Sequence, residues 1–139
     1  RMATLVALGK INSPDSGKVI FSLPPDQNPE IRALQTLLLG HLGYQPGTQR
    51  IQDRLEDASP LVRSAALEAL VDLGAPVAFD VVAKKLKDTD WRVRYGAIYA
   101  LTNLHHSHSQ LLSVLRNHRK TEKVSEILDI LDTVGTVSP

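Results

Sequence analysis

LEDASPLVRSAALEALVDLG, residues 55–74, lies without a gap on LKDTDWRVRYGAIYALTNLH, residues 86–105, an offset of 31. Eight of the twenty pairs are identical, where chance at ordinary residue frequencies gives roughly one. They include Asp57 with Asp88, Val62 with Val93, Arg63 with Arg94, and Leu73 with Leu104. One step back, at residues 24–43, Asp26, Pro29, Ile31, Arg32, Leu39, Leu42 and Gly43 fall in the same register. A fixed period of this length decides the architecture, because each unit must stack on its neighbours to bury its apolar side.

Within a copy the spacing is helical. Val62, Ala66, Ala69, Leu70 and Leu73 recur at three and four residues and form one apolar stripe. Ser59 and Pro60 supply a helix start and Gly74 a stop. A shorter amphipathic segment precedes each such helix, with Ile20, Ile51 and Val82 in matching places. The reading is an all-α chain, an α-solenoid of helical hairpins.

The expected units are a partial helix at 1–9, repeats at 13–43, 44–74 and 75–105, and a divergent capping repeat at 109–135. In the cap, Gln110–Arg116 reads as a first helix, and Glu122, Lys123, Glu126 and Asp129 are expected on its solvated outer face. Arg1 reads as the middle of a helix in a longer chain, and nothing after it resembles a secretion signal, so a cytoplasmic location is expected.

The pattern "L, x, D, four residues, V-R, x, x, A, x, x, A-L, x, x, L-G" resembles the HEAT repeat, over nearly the whole chain. The short period is similar to that of phycobilisome lyase-like proteins. The resemblance implies an α-solenoid and a scaffold or adaptor role, with lyase, hydroxylase and DNA-repair members as a minority. It further implies a ladder between repeats, here Asp26, Asp57 and Asp88 with Arg32, Arg63 and Arg94. A planar guanidinium suits a carboxylate and a helix-start carbonyl together.

Composition removes several chemistries. There is no cysteine, hence no disulfide, thiol nucleophile or cysteine-ligated zinc. The net charge of +1 provides no global attraction to nucleic acid or anionic membranes. No apolar run has the length of a membrane span. The di-iron hydroxylases built on related repeats use His-Glu dipeptides, and this chain has none. No phosphate loop, nucleophile elbow or zincin helix is present, so no catalytic residue, cofactor or metal is assigned. The histidine-rich HHSHSQ, residues 105–110, has the composition of a zinc or copper site but lacks an acidic or thiol ligand; it reads as a solvated loop.

A partner surface is expected opposite the core stripe of the second helices. With Val62 as zero, Ser64, Leu67, Glu68 and Val71 point within about 60° of the opposite direction. Their equivalents are Ala33, Thr36, Leu37 and Gly40 in one neighbour, and Tyr95, Ile98, Tyr99 and Thr102 in the other. Trp91 replaces the helix-start proline, so Trp91, Arg92, Tyr95 and Tyr99, with Leu67 and Val71, are the candidate contacts for a protein partner. The alternative is that Trp91 shields the ladder and the tyrosines cover the next repeat. Basic residues gather at Lys84, Lys85 and Lys87 and at Arg116, Arg119, Lys120 and Lys123. They would suit a phosphate backbone, although Asp88, Asp90 and Glu122 dilute them.

Overall fold

The computed structural model describes residues 1–136. Its helices are α1 (Met2–Ile11), α2 (Pro14–Ser22), α3 (Pro29–His41), α4 (Thr48–Asp53), α5 (Pro60–Leu73), α6 (Phe79–Ala83), α7 (Trp91–Leu104), α8 (Leu111–Arg119) and α9 (Ser125–Thr136). Among the described residues there is no strand, and no helix is long and apolar enough to cross a membrane. Short 3-10 turns extend α4 through Glu56 and α6 through Lys87.

The elements pair as hairpins, α2 with α3, α4 with α5, α6 with α7 and α8 with α9, while the second helices stack in the order α3, α5, α7. This is an α-solenoid. Ile20, Ile51 and Val82 are buried at the equivalent place in three successive first helices, and Val62 and Val93 at that of two second helices.

Helix boundaries follow local chemistry. Pro29 and Pro60 open α3 and α5, where a missing N–H costs nothing. Gly43 and Gly74 end the first two copies with φ of 65° and 62°, the left-handed region that glycine enters without a Cβ penalty. Ser59 occupies the helix-start position but its side chain makes no capping bond. The Asp57 carboxylate instead accepts from the Ser59 N–H at 2.9 Å, so the aspartate two residues earlier shapes the turn.

Stacking is closest between α3 and α5. A Cβ added at Gly40 would lie 2.6 Å from both the Cα and the carbonyl oxygen of Ala69, so only glycine permits this approach of two backbones. Between α5 and α7 the matching fit is looser: a Cβ at Gly96 would stand 3.2 Å from a methyl of Leu67.

Candidate partner-binding surface

An arginine from the second helix crosses each of three successive junctions between hairpins. Arg32 donates through Nε and Nη2 to both oxygens of Asp57 at 2.7 and 2.8 Å, and through Nη1 to the carbonyl of Asp26 at 2.7 Å. Arg63 repeats this with Asp88, at 2.9 Å for both oxygens, and with the carbonyl of Asp57 at 2.9 Å. The guanidinium thus ties the turn of its own hairpin to the turn of the next. The Arg32 guanidinium, aided by the Ser59 N–H, holds the Asp57 carboxyl below its ordinary range against the opposing effect of burial. For Asp88, burial acts upward and is outweighed by Arg63 and the Asp90 N–H.

The third rung departs from the sequence register. Arg94 donates to Glu122, at 2.9 and 3.0 Å, and to the Asp88 carbonyl at 3.0 Å. Glu122 was expected on the outer face of the cap, yet its side chain is only 1% exposed. It accepts also from His118 Nε2 at 2.7 Å and from the Lys123 and Val124 N–H groups at 3.1 and 3.2 Å. Burial alone would raise its pKa. Arg94, the Val124 N–H, His118 and the Lys123 N–H reverse that, and the carboxyl lies at about 2.

The partner surface expected opposite the core stripe is mostly buried or half-buried. Leu67 is fully buried, as are its equivalents Thr36 and Ile98, and so are Ala33 and Gly40. A middle helix of a stack has neighbours on three sides, and Leu67 points toward Gly96 of α7 instead of toward solvent. Val71 is half-buried and packs against the core. What remains open on α5 is a narrower stripe with Leu61 and Glu68 exposed and Ser64 partly so.

On α7 the equivalent stripe carries Arg92, Tyr95 and Tyr99. Trp91, Tyr95 and Tyr99 are 45%, 42% and 45% exposed, among the most exposed large apolar side chains described. At four-residue intervals they share one face of the helix. Arg92 is held over the helix start by Asp90, at 2.9 and 3.1 Å, and Asp90 also caps the Arg92 N–H. These contacts fix the guanidinium beside the aromatic ridge while leaving about half of its surface open.

Stacked hairpins joined by a repeating Arg–Asp rung are the features of one repeat family, and two overlapping stretches, 19–102 and 48–130, match the model for HEAT repeats. The chain belongs to the HEAT-repeat family. No curated protein matches it. HEAT repeats generally serve as protein-interaction scaffolds.

The remaining candidates sort by burial and pairing. The HHSHSQ segment is a loop exposed from His106 to Gln110, as expected, but it is anchored at one side: His108 stacks on Phe79 at 3.9 Å between ring centres and His105 meets the same ring edge-on at 5.5 Å. Burial, reinforced by His108, lowers the His105 pKa. Among the described residues no group of three or more histidine or carboxylate side chains is placed to hold a metal ion. Lys85, expected in a basic run, is buried and pairs with Glu56 at 2.7 Å, strapping the second and third hairpins together. Arg119 pairs with Asp132 within the cap. Sequence spacing missed the Glu122 rung because Trp91 stands 31 residues before it, and the Lys85 strap because its partner Glu56 has Pro25 and Lys87 at the matching places.

Proposed function

We propose that this HEAT-repeat chain is a non-enzymatic scaffold that holds a protein partner on the ridge formed by Trp91, Arg92, Tyr95 and Tyr99. The observation that carries the reading is the exposure of three aromatic side chains on one helix face, beside a guanidinium fixed by Asp90. Aromatic and arginine side chains dominate binding hot spots because they bury much area with few rotatable bonds to order. The open stripe of α5, with Leu61 and Glu68, continues this surface across one repeat.

Affinity recovery from a lysate of the source organism, comparing the chain with a Trp91→Ala, Tyr95→Ala variant, tests this. A partner lost by about tenfold or more with the variant, while its circular dichroism is unchanged, supports the ridge. Equal recovery of every bound protein contradicts it.

The short period supports a second reading, a lyase-like subunit acting on a chromophore-bearing protein. Transfer of a bilin to an acceptor subunit is the outcome that would favour it.

A further inference from the structure

A cleft of about 1030 Å³, lined by none of the ridge residues, opens between the third hairpin and the cap. It brings together residues far apart in sequence. Lys84 and Lys87 come from the end of the α6 segment, and Lys120 and Lys123 from the turn between α8 and α9. All four are exposed, and none forms an ion pair among the described residues. Beneath them lie Ala83, Leu86 and Val114, buried or half-buried. Two acids also line the cleft, Asp80 and Glu122, but Glu122 is consumed by Arg94 and His118.

Four unpaired ammonium groups over an aliphatic floor favour an anionic occupant with an apolar side chain. A nucleic-acid strand fits less well. No Phe, Tyr or Trp lines the cleft for bases to stack on, and the one imidazole there, His118, is nearly buried and engaged by Glu122. The rung explains why the site persists: Glu122 accepts from the Lys123 and Val124 N–H groups and so fixes the turn that presents Lys120 and Lys123.

We propose that this cleft binds an acidic segment of a partner protein, its carboxylates meeting Lys84, Lys87, Lys120 and Lys123 and one aliphatic side chain resting on Leu86 and Val114. The site is separate from the α7 ridge. A partner long enough to engage both would gain avidity from the tether.

The probe is a fluorescein-labelled glutamate-rich peptide with a central leucine, titrated into the full chain at low salt and followed by anisotropy. Saturable binding is expected, weakened about tenfold or more by Lys84→Glu with Lys123→Glu, since like charges then face the peptide. Replacing the leucine by serine should weaken binding severalfold. Lys10→Glu with Lys18→Glu, on α1 and α2, should leave binding unchanged, as should Trp91→Ala with Tyr95→Ala, which separates this site from the ridge. The proposal is overturned by any of three results: no saturable binding, equal loss with the remote lysine pair, or a short single-stranded DNA binding as tightly and responding to the same cleft variant.

Discussion

The junction between α3 and α5 and the junction between α7 and the cap carry the same guanidinium–carboxylate rung, yet different forces close them. At the first, backbones meet where Gly40 faces Ala69, and buried Ile31, Leu39, Ala69 and Leu70 supply an apolar seam. At the last, the cleft lined by Lys84 and Lys120 stands open beside a carboxylate that accepts from four groups. The rung spans 25 residues in the interior, from Arg32 to Asp57 and from Arg63 to Asp88, but 28 at the cap, from Arg94 to Glu122. The longer glutamate side chain reaches the guanidinium from a different place in the turn. The difference teaches that the rung sets the orientation of hairpins at every junction, whereas packing area decides which junctions are strong.

The interior junction is the one to break first. Leu70→Ala empties a fully buried site in α5 and should cost about 4 kcal/mol by urea unfolding, with the whole stack melting together. Gly40→Val should cost about 3 kcal/mol, because the clash is with the Ala69 backbone and no side chain can move aside. A loss under about 1 kcal/mol for both would mean that α3 and α5 are not the seam that holds the molecule together.

Acid sharpens the contrast. The Glu122 carboxyl lies at about 2 in the folded chain, against an ordinary value of 4.5 when unfolded. Between those values the unfolded chain binds the proton and the folded chain does not. Its contribution is therefore complete above the unfolded value and disappears as pH falls toward the folded one, a change on the order of 3 kcal/mol. Glu122→Gln should cost about 2 kcal/mol at neutral pH, through loss of charge-assisted bonds, and its deficit relative to the unaltered chain should vanish near the lower value. A deficit that stays constant across that window would show that the charge of Glu122 is not what closes the cap. The smallest effect on stability is expected on the ridge, where Tyr95→Ala should change unfolding by less than about 0.5 kcal/mol, measured by thermal melting.

Much of the fold was legible because a solenoid writes its layers into the sequence at a fixed period. Ile20, Ile51 and Val82 repeat because equivalent helices bury equivalent residues. The turn aspartates and the arginines share that period because one rung crosses each junction. The binding surface was only partly legible. Helical projection treats a helix as having one buried side, so it placed Leu67 in the open; the third neighbour, α7, covers it. Glu122 escaped because the cap breaks the period, and Lys85 because a long side chain can bury its stem while its ammonium group meets Glu56. The convergence of Lys84 and Lys87 with Lys120 and Lys123 depends on how the cap docks, which no local pattern encodes.

Native-state hydrogen exchange on the Glu122→Gln variant tests the difference between the two junctions most directly. Faster exchange is expected in α8, α9 and the turn between them, with α3 and α5 as protected as in the unaltered chain. Equal acceleration in all the helices would contradict it, since the cap rung would then hold the entire stack and not its last hairpin alone.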